Sequence, residues 1–132
     1  MFTIDQIRSY TDRFGVPSYV DDDGDLHLNF AADNDFPHNV DVVVLIDNDR
    51  LSYIAFPSDY HPDNLEYKVN RANMRRNFPT AVMSKGELRM EYSFYISEDV
   101  SEEYIYDTCV RRILGSIWNA FVEFDRDDIE EE

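Results

Sequence analysis

Residues 39–56 read NVDVVVLIDNDRLSYIAF, and this stretch decides the fold. Its first half, from Asn39 to Ile46, is apolar and β-branched, which is typical of a central strand with much of both faces covered. Asp47-Asn48-Asp49-Arg50 has the composition of a turn, and Leu51 to Phe56 brings the chain back. The stretch therefore predicts two neighbouring antiparallel strands in the middle of a sheet.

Two more elements are predicted on the amino-terminal side of this pair. Val16 to Val20 and Leu26 to Phe30 alternate in polarity around an acidic turn, residues 21–25, which is the pattern of a β-hairpin. Residues 3–14 keep the spacing of an amphipathic helix, and Thr3 is placed to cap its first turn. The four strands then form an antiparallel meander that follows one helix.

The carboxyl-terminal side adds two helices and another hairpin. Asp63 to Phe78 reads as a helix that Pro79 ends. Thr80 to Ser84 and Glu87 to Ile96 are predicted to pair, and Ser101 to Phe124 reads as one long helix. The predicted order is α-β-β-β-β-α-β-β-α, an α+β fold with helices packed on an antiparallel sheet of about five to six strands. We expect one domain over residues 1–125 and an acidic tail over residues 126–132.

The long final helix has more apolar surface than one side of a small sheet needs. At 100° per residue, a broad face of this helix suits the core. A second apolar flank lies outside that face, and we expect it to bind a partner, with Trp118 as the first anchor. The core-facing residues are Ile105, Cys109, Ile113, Ile117, Ala120, Phe121 and Phe124, and the flank consists of Tyr104, Trp118 and Val122.

The second predicted helix has two polar stripes on opposite sides. The basic stripe is expected to face water and to pair with local carboxylates, with anion binding as the alternative. The amide stripe would then face the protein, where amides can satisfy backbone groups of a strand edge or a loop. A ligand pocket between this helix and the sheet is the functional alternative. The basic stripe is Lys68, Arg71 and Arg75, and the amide stripe is Asn70, Asn73 and Asn77.

The composition limits the classes of partner. The 132 residues include 12 basic and 28 acidic side chains, which gives a formal net charge of −16. This charge repels nucleic acid and anionic lipid, and it suits a protein that holds basic or apolar segments of other chains. A single cysteine, no signal-peptide pattern and no long apolar run predict a cytoplasmic protein that does not span a membrane.

No pattern in the sequence predicts a metal, a cofactor or catalysis. The acidic turn that begins at Asp21 has Leu26 and Ala32 where a calcium-binding EF-hand loop needs Gly and Glu, so we expect a solvated turn. His27, His38 and His61 lack zinc-ligand spacing. Cys109 lies on the core face of the last helix, and burial of its thiol is expected to make it inert.

With these elements assigned, the chain resembles the YbjN family, also described as putative bacterial sensory transduction regulators. The resemblance spans nearly the whole chain. It rests on the first helix, the turn Asp22-Asp23-Gly24-Asp25-Leu26, the helix with Val69-Asn70 and Asn73, and the start Ser101-Glu102-Glu103 of the last helix. It implies a fold similar to type III secretion chaperones, which are small acidic proteins that dimerise and hold a client segment. It implies no catalytic residue.

The sequence therefore predicts a non-enzymatic, protein-binding module with a chaperone-like or regulatory role that forms a homodimer. The alternative is a sensor domain that binds a small ligand between the second helix and the sheet, near Asn70 and Asn73.

Overall fold

A computed structural model describes residues 3–75, 79–96 and 99–126 of the chain. It is an α+β fold with one six-stranded antiparallel sheet, in the order β1-β2-β3-β4-β6-β5, so the predicted class and element order are confirmed. The elements are α1 (Ile4–Asp12), β1 (Ser18–Val20), β2 (Leu26–Phe30), β3 (Val40–Asp47), β4 (Arg50–Pro57), α2 (Leu65–Arg75), β5 (Thr80–Ser84), β6 (Glu87–Tyr95), α3 (Glu102–Tyr104), a π-helical segment (Ile105–Arg111) and α4 (Arg112–Arg126).

The first helix begins at the predicted cap. The Thr3 hydroxyl accepts a hydrogen bond from the Gln6 amide at 3.2 Å, which satisfies a backbone donor of the first turn. α1 ends at Asp12, and Gly15 has a φ of 72°, a left-handed conformation that glycine adopts without strain. This turn directs the chain into β1.

The sheet buries one face more fully than the other. In β3, Val40, Val42 and Val44 belong to a single apolar core with residues of all the longer helices. The alternate residues Val43 and Leu45 are only half-buried. The composition of β3 predicted that much of both faces is covered. In the structure its inner face is buried from Val40 to Val44, and its outer face is half-buried over most of its length.

The last helical region is continuous from residue 102 to residue 126, but it is not one regular α-helix. Seven residues, Ile105–Arg111, form the π-helical segment, in which the Arg112 amide donates to the Asp107 carbonyl. The Tyr53 hydroxyl of β4 donates a 2.6 Å hydrogen bond to the Cys109 carbonyl inside this segment. The predicted single α-helix over residues 101–124 is thus wrong at this point, because a buried side chain from the sheet takes part in its backbone bonding.

Two predicted boundaries differ from those of the structure. α2 begins at Leu65 instead of Asp63, and residues 76–78, where its predicted end falls, lie outside the described part of the chain. Arg126, expected to begin the tail, is the last residue of α4, and the rest of the tail, residues 127–132, also lies outside. In the described ranges, no helix combines the length and the apolar character needed to cross a membrane.

Candidate functional site

One face of the last helical region forms a wall of an apolar groove. Arg111, Leu114, Gly115 and Trp118 follow one another at helical spacing, so their side chains share a face. Gly115 lies in the interior of α4, and a Cβ atom at this position would meet nothing within 4 Å. Glycine costs a helix about 1 kcal/mol relative to alanine. This helix therefore has a glycine where there is room for a side chain, and the space is left open.

The opposite wall comes from the ends of α1 and β2. Phe14 and Val16 lie on the two sides of the Gly15 turn. Phe30 is the last residue of β2, and Ala31 and Asp33 follow it. Together with the helix they enclose a groove of about 340 Å³. We call this space the Trp118 groove, and it is lined by Phe14, Val16, Phe30, Ala31, Asp33, Arg111, Leu114, Gly115 and Trp118.

Trp118 is fixed in the groove by aromatic neighbours. Its ring meets the buried Phe36 edge to face, with centroids 5.8 Å apart and planes at 89°. Phe30 approaches at 6.4 Å in a tilted arrangement. Pairs of this kind hold large apolar side chains in one orientation. The half-buried indole is thus preorganised to receive an apolar group.

Charged side chains lie at the rim of the groove. The Arg111 guanidinium donates from Nε to Asp107 Oδ1 at 2.9 Å and also through Nη2. This hydrogen bond holds the pKa of Asp107 below its usual range. On the opposite rim, Asp33 Oδ1 accepts from the amides of Asp35 and Phe36, both at 2.9 Å. The groove therefore has an apolar interior with one positive and one negative group at its edges.

The predicted flank of the last helix is only partly realised. Trp118 lines the groove, but Val122 is 8 % exposed and belongs to the chain's own core. Tyr104 is 48 % exposed and precedes the π-helical segment, which changes the direction of its face relative to Trp118. Regular 100° geometry predicted a common flank for the three residues. It is wrong for Val122, which lies one turn after Trp118 in the regular helix α4 but packs into the chain's own core.

The groove residues beyond Trp118 were not predicted. Gly115 gave the clearest sequence signal, because a glycine three residues before a tryptophan in an amphipathic helix is unfavourable unless space is needed there. Phe14, Phe30 and Asp33 come from distant parts of the chain, and only the tertiary structure brings them to the helix.

The amide stripe of α2 separates into different roles. Asn73 donates from Nδ2 to the Ala81 carbonyl and accepts from the Ala81 amide, both at 2.8 Å. Its amide group thus pairs with the outer edge of β5 as a neighbouring strand would. Asn70 is exposed beside an open hollow at the start of α2, and Asn77 lies outside the described residues. The crevice between α2, β5, β6 and α4 holds about 30 Å³, about the volume of one water molecule.

Only part of the basic stripe faces water as predicted, since Arg75 is exposed and Lys68 is not. Lys68 is 1 % exposed, and its Nζ lies 3.5 Å from the Asp125 carbonyl oxygen and 5.2 Å from the centre of the Phe124 ring. A cation at this place meets the negative end of α4 and an aromatic face. Arg71 is half-buried, and its Nε has no hydrogen-bond partner among the described residues. The prediction of a solvated stripe is therefore wrong for Lys68, whose charge is used to join two helices.

His27 has a defined charged environment on the outer face of the sheet. Its Nε2 lies 2.8 Å from Asp21 Oδ2, and its Nδ1 lies 3.3 Å from Asp41 Oδ2. The Tyr19 ring stacks on the imidazole with centroids 4.6 Å apart. Burial lowers the pKa of His27 most strongly, but the hydrogen bonds and charges of the two carboxylates together outweigh this effect, so the pKa is raised.

The acidic turn is ordered by its own hydrogen bonds. Asp21 Oδ1 accepts from the amides of Asp23 and Asp25, both at 2.9 Å, and its other oxygen meets His27. The amide of Asp25, followed by the His27 side chain, lowers the pKa of Asp21. Carboxylate oxygens of Asp21, Asp23 and Asp25 lie within 4.8 Å of one another. The Asp21 carboxylate therefore stabilises the turn by accepting hydrogen bonds from its backbone amides.

The thiol of Cys109 is poorly suited to nucleophilic chemistry. The residue is 3 % exposed, and burial raises the pKa of the thiol to about 11. It is therefore protonated at neutral pH, and only the thiolate is a good nucleophile. Burial likewise raises the pKa of Tyr53 well above its usual value, so its hydroxyl remains a donor to the Cys109 carbonyl.

Comparisons of the chain with models of protein families, with curated proteins and with solved structures found no match.

Proposed function

We propose that this chain is a non-enzymatic module that binds protein, with a chaperone-like or regulatory role, and that it forms a homodimer. The observation that carries the proposal is the Trp118 groove. Its aromatic walls and its open floor at Gly115 fit the apolar side chains of a partner helix, which commonly lie in a groove of this kind. We further propose that the partner segment is basic, because the chain has a net charge of −16.

Three further features support this proposal. The order and spacing of short motifs support membership of the YbjN family and a likeness to type III secretion chaperones. The single, buried Cys109 supports a reducing compartment such as the cytoplasm. The high pKa of its thiol supports a role without nucleophilic catalysis.

Occupancy of the groove can be measured with the protein's own fluorescence. Trp118 is the single tryptophan of the chain, so its emission reports on this place alone. The probe is a synthetic amphipathic peptide with Leu and Phe on one helical face and Lys on the other. We expect saturable changes in Trp118 emission, and a Gly115→Leu variant should bind at least about tenfold more weakly because its side chain fills the groove.

One control changes Gly115 to a smaller residue, and the other changes the charge of the peptide. Gly115→Ala adds one methyl group where space exists, so it should retain binding and unfold at a higher temperature. A peptide with Glu in place of Lys should bind more weakly. The proposal fails if no apolar peptide alters Trp118 emission, or if Gly115→Leu binds as tightly as the unmodified chain.

A small-ligand sensor is the second candidate, and the size of the groove favours it. A volume of about 340 Å³ lies at the lower end of the usual range for small-molecule sites. The Arg111 guanidinium at the rim suits a carboxylate. An apolar carboxylic acid that raises the melting temperature of the chain, but not that of Gly115→Leu, would favour this function over peptide binding. The sequence placed the pocket between α2 and the sheet, near Asn70 and Asn73, and the crevice found there holds only about 30 Å³. The larger hollow beside Asn70 lies at the start of α2 and is lined by residues of that segment alone.

A further inference from the structure

The outer face of the sheet is apolar at its centre. In the two central strands, Val43 and Leu45 of β3 and Ile54 and Phe56 of β4 alternate outward, and Phe56 is 37 % exposed. A solvated face of an antiparallel sheet normally has polar side chains at such positions. The pattern therefore indicates that another surface covers the centre of this face.

The strand register arranges the outer side chains in rows across the sheet. Val43 lies opposite Ile54, and this pair is flanked by His27 on β2 and Glu91 on β6. At one end of the central strands, Asp47 lies opposite Arg50. Two of these rows therefore have a basic group and an acidic group on opposite sides of the line between β3 and β4, namely His27 with Glu91 and Asp47 with Arg50.

This line is also the middle of the six-stranded sheet, with three strands on each side. A two-fold rotation about an axis parallel to it would stack a second sheet on the first, about 10 Å away. Val43 would then lie over Ile54 of the second copy, His27 over Glu91, and Asp47 over Arg50. Asp41 would face Phe56 of the second copy. Its Oδ2 atom lies 3.3 Å from His27 Nδ1 of its own chain, so the carboxylate already has a polar partner.

We propose that the outer face of the sheet binds a second copy of this chain, through a two-fold axis that runs along the boundary between β3 and β4. The proposal rests on the homodimer part of the proposed function and assigns its surface. Charge complementarity favours this occupant, because the same patch supplies both partners of the His27–Glu91 pair and of the Asp47–Arg50 pair. Within its own chain, the Glu91 carboxylate also pairs with Arg89 at 2.6 Å. An axis perpendicular to the strands is disfavoured because it would place His27 on His27 and Glu91 on Glu91.

The test measures the mass of the full-length chain by analytical ultracentrifugation over a range of concentrations. We expect a monomer–dimer equilibrium that Ile54→Lys shifts to monomer, with the dissociation constant raised at least about tenfold, since a charge would face Val43 of the second copy. Met74→Lys is the matched control, because it makes the same change at a position of α2 that is 87 % exposed. It should dimerise as the unmodified chain does.

Two further measurements distinguish loss of the dimer from a disturbed fold, and self-association from binding of a basic segment. Val43→Thr combined with Ile54→Thr keeps the β-branched shape but removes apolar surface, so it should weaken the dimer even if Ile54→Lys disturbs the fold. Added salt screens both the attractive pairs across the interface and the repulsion between two copies that each have a charge of −16. We expect the repulsion to be the larger effect, so salt should strengthen self-association, whereas it should weaken binding of a basic segment.

A strictly monomeric chain would overturn both this inference and the proposed dimer. A dimer that Ile54→Lys leaves intact, or that Met74→Lys disrupts equally, would overturn this inference alone. Peptide binding at the Trp118 groove is measured separately and does not depend on either result.

Discussion

His27 shows how one residue can combine several weak contacts into a pH-dependent one. Its imidazole joins the β1–β2 turn to β3, because each ring nitrogen meets a carboxylate, and Tyr19 covers one face of the ring. Both nitrogens can donate only when the ring is protonated. The arrangement therefore favours the imidazolium form, which agrees with the raised pKa.

The raised pKa predicts how His27 affects stability. A group whose pKa is higher in the folded than in the unfolded state stabilises the fold fully below the unfolded value, and this contribution is lost as the pH rises through the folded value. Urea unfolding of the unmodified chain and of His27→Gln should therefore differ more at about pH 6 than at about pH 8.5, on either side of ordinary histidine titration.

The carboxylates provide the control for this effect. Asp41→Asn removes one of the charges that favour the imidazolium, so it should reduce the dependence on pH while His27 is still present. An equal loss of stability in His27→Gln at both pH values would contradict the role of protonation and leave only packing.

At the scale of elements, the edges of the sheet are protected by helix side chains. The Arg8 guanidinium of α1 donates to the Ser18 carbonyl and hydroxyl of β1, at 3.2 and 3.1 Å. Asn73 of α2 pairs with both backbone groups of Ala81 in β5. Exposed strand edges can pair with other chains, so these contacts stabilise the fold and limit aggregation.

Asn73→Ala tests the protection of β5. It removes two hydrogen bonds and leaves the amide and carbonyl of Ala81 without them, so we expect a loss of about 2–3 kcal/mol in the free energy of unfolding. Asn70→Ala is the matched control, since Asn70 is exposed one turn away, and its effect should stay within about 0.5 kcal/mol. Equal effects of the two substitutions in urea titrations would show that Asn73 has no special role at the edge.

The order of elements was predictable from the sequence because each one depends on local patterns. The Thr3 cap, the acidic turn and the apolar, β-branched run of β3 are signals within a few residues, and the cap, the turn and the strand are all confirmed. The π-helical segment was not predictable, since it involves Tyr53, which is 56 residues from Cys109 in the chain. Lys68 was misplaced for the same kind of reason, because its partners at the end of α4 are set by tertiary packing.

The candidate site was predictable to the same limited extent. The helical position of Trp118 made it a candidate anchor, and the structure places it in the groove. The groove itself could not be predicted, since Phe14 and Phe30 approach Trp118 only in the folded chain. Asn73 illustrates the reverse case. Its chemistry suggested both a strand-edge role and a ligand role, and the structure shows it bonded to a strand edge.

At the scale of the whole molecule, charge opposes folding. With 28 acidic and 12 basic side chains, most carboxylates cannot have a basic partner, and compaction brings them closer together. Several described ion pairs, such as Arg111–Asp107 and Arg126–Asp35, lie at the surface, where a pair contributes little. Repulsion between like charges is therefore the electrostatic term that extends over the entire chain.

Screening of this repulsion should raise stability. The Debye length falls from about 30 Å at 0.01 M salt to about 3 Å at 1 M salt. We therefore expect the melting temperature of the chain, measured at fixed protein concentration, to rise steadily over this range in NaCl. An Asp22→Asn, Asp23→Asn double variant should melt higher than the unmodified chain at low salt and gain less from added salt, because it begins with a smaller net charge.

A CaCl2 series at matched ionic strength separates general screening from cation binding. Screening depends on ionic strength, so the two salts should raise the melting temperature by similar amounts. If the acidic turn bound calcium, CaCl2 would act at much lower ionic strength, and the double variant would lose part of that effect since Asp23 supplies one of the clustered carboxylates. A melting temperature that does not change with NaCl would contradict charge repulsion as a destabilising force. The attraction within the few ion pairs would then be sufficient to offset the repulsion between the remaining carboxylates.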